Sequence, residues 1–153
     1  MNDLINAIDQ VIEENDLPHE WSKEIVAELK ELKHKKESKE RVDLRSHSFA
    51  TIDGKDAKDF DDAVYCEKDT DGFILQVAIA DVADIVKSGS EIDKEAVKRG
   101  TSIYFPKKVI PMLPEKISND LCSLVPKKDR NVLVCKIYLD INGDIESYDF
   151  QEA

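Results

Sequence analysis

The chain has 153 residues, enough for one domain or one domain with a small appendage. A hydrophobic share of 41% supplies one ordinary core and excludes a wholly disordered chain. No apolar run approaches the roughly 18 residues of a membrane span. The net charge of −11 argues against a general polyanion binder, while leaving room for a local site where metal ions offset the charge.

The start, MNDLINAIDQ, has no basic residues before an apolar stretch, so no secretory signal is expected. Leu4, Ile5, Ile8, Val11 and Ile12 recur at helical spacing and predict an amphipathic helix over 3–14. Asp16 and Pro18 mark a break, and Trp21, Ile25, Leu29 and Leu32 form a second helical stripe. Lys30 to Arg41 is nearly all charged; its first part is expected to end that helix and the remainder to be an exposed linker. From Val42 the pattern becomes short strands and loops. Ala63–Glu67 and Phe73–Ala80 are predicted strands joined by the turn Asp69-Thr70-Asp71-Gly72, the second of them central and covered on both faces. Glu91–Arg99 is a short helix closed by Gly100, and Thr101–Phe105 is a β-branched and aromatic stretch. Pro106, Pro111, Pro114 and Pro126 punctuate a long irregular segment. Val132–Ile141 and Asp144–Phe150 form a hairpin with Asn142-Gly143 as a type I′ turn. The expected class is α+β: an N-terminal helical pair, then a mixed, largely antiparallel sheet with short helices.

Cys66, Cys122 and Cys135 show no C-x-x-C spacing and are expected as free thiols in a reducing cytoplasm, with Cys66 and Cys135 in the core. His19, His34 and His47 lack metal-ligand spacing and are expected at the surface.

Five aspartates fall within the ten residues Asp53 to Asp62, offset only by Lys55 and Lys58. Clustered carboxylates repel one another, and divalent cations resolve that conflict, Mg²⁺ preferring hard oxygen ligands. Asp59 and Asp61 in an extended segment point to one side and Phe60 to the other; Asp62 needs a bend to join them. A solvated acidic turn is the alternative. An EF-hand is excluded, since Lys55 and Ala57, or Ala63 and Val64, occupy positions that need ligands or glycine. Asp69-Thr70-Asp71-Gly72 is a hairpin turn, because an aspartic-protease dyad needs two such stretches.

The stretch Thr51 to Val64 closely resembles the RNB catalytic domain of the ribonuclease II / ribonuclease R family. The likeness continues through Val77 to Val82, Arg99 to Pro106, Ile110 to Pro114 and Leu121 to Leu124. Leu17 to Trp21 is similar to the helical lead-in of the ribonuclease R branch. The resemblance implies a helical lead-in and linker over 1–40 and the N-terminal part of the catalytic domain over 41–153. It further implies processive hydrolysis of single-stranded RNA from the 3′ end to nucleoside 5′-monophosphates. Asp53, Asp59, Asp61 and Asp62 match the active-site aspartates; Asp53, Asp59 and Asp62 would hold Mg²⁺, with Mn²⁺ as a substitute, and Asp61 would serve the chemical step most directly. Tyr104 matches a tyrosine that stacks on RNA. Cytoplasmic location, no membrane contact and no DNA substrate are expected. Family members carry OB-fold RNA-binding domains on both sides, and a downstream arginine and glutamate of their active site have no counterpart here. The chain alone is therefore expected to be weakly active or inactive. A non-catalytic acidic module and an endonuclease are the competing functions.

Overall fold

The structure is a computed structural model that describes residues 2–33 and 40–153. Most of the expected linker, residues 34–39, lies outside the described residues, as does His34. The chain forms two compact units, one from residues 1–32 and 86–115, the other from 33–85 and 116–153. The helical lead-in is thus grouped with a segment that follows the second predicted strand. No described helix is long and apolar enough to cross a membrane.

In the first unit, α1 spans Asn2–Glu14. Its buried Ile8 and Ile12 pack with Ile110, and Leu17, Ile103 and Phe105 surround them. Asp16 takes φ +49° and reverses the chain, letting the Leu17 N–H donate to the Ile12 carbonyl at 3.0 Å. Ser22 caps α2, Lys23–Glu31, by accepting from the Ile25 N–H. Trp21 therefore precedes the helix that its spacing suggested, and Arg99 stacks over its ring at 3.6 Å. The helix Glu91–Arg99 is as expected, with Ser90 as its N-cap and Gly100 at φ +72° beyond its end. Counting onward in the chain it is α4, because the four-residue α3, Val82–Ile85, precedes it in the second unit. Glu28 of α2 accepts from the Glu91 and Ile92 N–H groups, placing a carboxylate at the positive end of α4. The irregular proline segment contains a small hairpin: β3, Ile103–Phe105, pairs antiparallel with β4, Lys108–Ile110.

The second unit holds a four-stranded antiparallel sheet in the order β1-β2-β5-β6. These strands are Asp62–Lys68, Gly72–Ala80, Val132–Asp140 and Ile145–Glu152. β2 lies inside the sheet as expected, but only one of its faces is fully covered. Gln76, Ala78 and Ala80 are buried with Ala63 and Val134, whereas Ile79 on the other face is exposed. That second face carries Val64, Val77, Cys135 and Phe150 in one row and Cys66, Leu75, Ile137 and Tyr148 in the next. Cys66 is consequently exposed and Cys135 half-buried, so neither is a core thiol; the buried cysteine is Cys122. The strand alternation placed both on the less covered face, a distinction their apolar neighbours hid.

The β5–β6 connection is also not the expected type I′ turn. Gly143 alone takes positive φ; its N–H donates to the Asp140 carbonyl, and the Asp140 N–H donates to the Asp144 carbonyl. The Asp140 carboxylate accepts from Asn142 and Asp144 N–H groups, which holds its pKa below the ordinary value. That carboxylate clamp stabilises a longer turn with a bulge and spares Asn142 a left-handed conformation. Arg41, expected in the exposed linker, instead has a largely buried side chain. It pairs with Asp81 at 2.5 Å and donates to the carbonyls of Val132 and Ala153. His47 is half-buried with its ring edge-on to Tyr65 at 4.7 Å.

Candidate active site

The aspartate segment belongs to the second unit and leads directly into β1. Ala50 bridges to Val64, so the chain leaves the sheet edge at Thr51, loops through the acidic residues and returns at Asp62. A turn closes within the loop, where the Ala57 N–H donates to the Gly54 carbonyl at 3.0 Å. Asp53 is exposed, Asp59 is half-buried, and Asp61 and Asp62 are exposed at the entry to the strand.

Three backbone anchors fix the end of this loop. The Ser123 hydroxyl accepts from the Phe60 N–H at 3.0 Å and donates to the Lys58 carbonyl at 2.7 Å. The Leu124 N–H donates to the Phe60 carbonyl at 2.9 Å, and the Ala80 N–H donates to the Asp61 carbonyl at 2.9 Å. Asp62 then sits opposite Ile79 in the β1–β2 register. The Asp61 carboxyl has its pKa raised, first by partial loss of water and then by the negative charges of Asp59, Asp62 and Asp53. Asp59, Asp62 and Asp53 thus all act on the Asp61 carboxyl.

Among the described residues no three His, Cys, Asp or Glu side chains form a metal cage. Mg²⁺ seldom uses one: it keeps several waters and is held by one or two carboxylates together with substrate phosphates. The donor set, all carboxylate oxygens with open access to solvent and mutual repulsion to relieve, fits such an ion.

Tyr104 lies in β3 of the first unit and is 69% exposed, so it is not a core aromatic. Cys122, six per cent exposed, has its thiol pushed up to about 11, mainly by burial. Arg130 pulls the other way and the charges of Asp61, Asp81 and Asp84 push further up, so the thiol stays protonated and is no nucleophile. A cavity of about 520 Å³ in the same unit is lined by Arg41, Arg45, Lys127, Lys128 and Arg130 and by none of the four aspartates. Much of that basic lining is already engaged: Arg41 with Asp81, Arg45 with Asp43 and Asp129, Arg130 with three backbone carbonyls. The Arg45 guanidinium beside Asp43 lowers that carboxyl to about 2.

Sequence reasoning named all four aspartates but gave no role to Ser123 or Arg130. The available signal for Ser123 was a single hydroxyl within Leu121-Cys122-Ser123-Leu124, where an isolated polar group must find partners if buried.

The RNB domain model matches residues 41–153. Ribonuclease R of Vibrio cholerae serotype O1 is 49% identical over 146 residues, covering 93% of this chain and 18% of that protein. Ribonuclease R of Escherichia coli K12 is 48% identical over 151 residues, covering 96% of this chain and 19% of that protein. The structure of Mycoplasma genitalium RNase R in complex with ribose-methylated single-stranded RNA superposes with a TM-score of 0.93 at 39% identity. It covers 99% of this chain, which matches 24% of that one. The chain thus spans about a fifth of the curated relatives it matches. With the family model extending from Arg41 to the last residue and the acidic loop on its sheet edge, the chain belongs to the RNB domain family.

Proposed function

We propose that this chain forms part of an exoribonuclease that degrades single-stranded RNA from its 3′ end, processively and by hydrolysis, releasing nucleoside 5′-monophosphates. The observation that carries the reading is the acidic loop at the start of β1, where Asp53, Asp59 and Asp62 all act on the Asp61 carboxyl. The relatives' name and the RNA bound by the Mycoplasma genitalium enzyme support it.

In this reading Asp53, Asp59 and Asp62 hold Mg²⁺, with Mn²⁺ able to replace it. The bound ion would supply Lewis-acid stabilisation of charge on the reacting phosphate. Asp61 is the carboxylate closest to the chemical step. Its pKa is raised by partial loss of water and by the charges of the other three aspartates, a perturbation of the kind that clusters at functional sites. Carboxylates that bind cations accept a polyanion only when the cations are present, which reconciles the net charge of −11 with an RNA substrate. Tyr104 offers an exposed ring for base stacking, an interaction tolerant of sequence and worth about 1–3 kcal/mol per base. RNA-binding OB-fold domains would flank this region in the whole protein, and the enzyme would work in the cytoplasm without contact to DNA.

The test is a time course on a 5′-labelled single-stranded oligoribonucleotide with Mg²⁺. It uses the 153-residue chain and a chimaera in which the chain replaces the matching segment of Escherichia coli ribonuclease R. The chimaera is expected to shorten RNA progressively from the 3′ end, and the chain alone to do so weakly or not at all. Asp61→Asn in the chimaera is expected to lower the rate about 10²–10⁴-fold, the range for loss of a positioned proton-transfer group, with RNA binding retained. An Asp61→Asn chimaera at full rate rejects the assignment. Cleavage of circular RNA by the chimaera rejects end dependence.

A further inference from the structure

We propose that Ser123 is a positioning residue for the aspartate site: its hydroxyl sets the backbone of Asp59, and so tunes divalent-cation affinity without touching the cation. The inference rests on the reading of the acidic loop as a metal site and extends it to a residue outside that loop.

The geometry is specific. Lys58 C=O and Phe60 N–H belong to the two peptide groups that flank Asp59, and one hydroxyl holds both, at 2.7 and 3.0 Å. Fixing the two flanking peptide planes fixes φ and ψ of the residue between them, and with them the direction of its Cα–Cβ bond. The next peptide is held at the Phe60 carbonyl by Leu124 N–H, and the one after it at the Asp61 carbonyl by Ala80 N–H. Four successive peptide groups from Lys58 to Asp62 are therefore pinned. Only the first anchor depends on a side chain.

Ser123 itself is rigid. It is fully buried, its donor and acceptor are both used, and its own carbonyl accepts from Arg130 Nε at 2.9 Å. Arg130 also donates from Nη2 to the Asp120 carbonyl at 2.8 Å, tying the strut to the π-turn Ile117–Leu121. Carboxylates that repel one another drift apart unless the backbone prevents it, so an anchor of this kind should matter more for ion binding than for the fold. Groups that orient metal ligands from behind are typically worth about 10–100-fold in metal affinity.

The experiment measures Mn²⁺ binding to the 153-residue chain by electron paramagnetic resonance, with amide hydrogen exchange of the metal-free chain. The set is wild type, Ser123→Ala, Ser123→Cys and Asp59→Asn. Ser123→Ala is expected to weaken Mn²⁺ binding at least about tenfold and to speed exchange at the Phe60 amide. Amides of Val77 and Val134 should keep their protection. Ser123→Cys, nearly isosteric with a weaker donor, should fall between and serves if the alanine variant does not fold. Ser123→Ala with wild-type Mn²⁺ affinity, while Asp59→Asn weakens it, overturns this proposal and leaves the metal site standing. Equal loss of protection at Phe60, Val77 and Val134 also overturns it, since that reports general unfolding. Wild type without Mn²⁺ binding overturns this proposal, since no affinity is left for Ser123 to tune, while the RNA-shortening test of the chimaera still decides the proposed function.

Discussion

At the level of single residues, Arg99 shows how much one guanidinium can hold together. Only 2% of its side chain is exposed, and it pairs with Glu95 at 2.9 Å. It also donates to the carbonyls of Pro111 and Glu20, at 3.0 and 2.7 Å, and stacks on Trp21. Three segments of the first unit meet there. Lysine keeps the charge but has neither the fork nor the flat face. Arg99→Lys is therefore expected to destabilise the chain by about 1–3 kcal/mol, chiefly through the half-buried Pro111 carbonyl left without its donor. Thermal unfolding reads the effect, and an unchanged Tm would show that the contacts are dispensable. Arg99 appeared in the sequence only as the last residue of a helix within a family motif. Its role was not legible there because all its partners but Glu95 are distant in the chain. The aspartates were legible for the opposite reason: five carboxylates within ten residues must be explained locally, whatever the fold. Ser123, whose partners lie some sixty positions away, belongs with Arg99.

At the level of elements, local signals served well where a single turn or cap decides the outcome. Gly100 closed its helix, and Asp69 to Gly72 joined the first two strands, whose hydrogen bond from Asp69 N–H to the Gly72 carbonyl spans 2.9 Å. Gly72 also does something no turn rule reveals. A Cβ at that position would overlap the Leu139 carbonyl of the neighbouring strand, because Gly72 pairs with Asp140. Backbone cannot yield as a flexible side chain can. Gly72→Ala is expected to lower the unfolding midpoint strongly or to prevent folding, as read by circular dichroism, whereas Gly54→Ala, with open space around its Cβ, should not. A Gly72→Ala chain with wild-type stability would mean that β2 and β5 can separate there at little cost. The β5–β6 turn was misassigned because Asn-Gly is only a pair preference. The Asp140 carboxylate two residues earlier chose the wider turn.

At the level of the whole molecule, the four-stranded sheet has two unlike faces. Ala63, Ala78 and Val134 are buried on one. The other presents Ile79, Leu133, Tyr148 and Phe150, each at least 46% exposed. Apolar surface of this extent binds amphipathic dyes. The chain is expected to enhance anilinonaphthalene sulfonate fluorescence, and Tyr148→Ser with Phe150→Thr should reduce the signal while leaving the unfolding midpoint within a few degrees. No enhancement by the wild type would mean that this face is covered in solution. The class, α+β with an antiparallel sheet, was legible from strand spacing; the grouping of residues 86–115 with the N-terminal helices was not, since it depends on packing of Ile8 and Ile12 against Ile110. That grouping governs how the chain can be made. Ala80 pairs with Val132, so β2 waits for its inner neighbour until the whole intervening segment has been synthesised. A ribosome that has released Ala80 but not Val132 carries a two-stranded ribbon, marginal by itself, with an open edge. Closing so long a loop is slow compared with forming the hairpin. The acidic loop leans on Ala80 at one end and on Leu124 at the other. It therefore gains its final shape only after Leu124 has been synthesised, and a nascent chain stalled before Leu124 carries the aspartates without their scaffold.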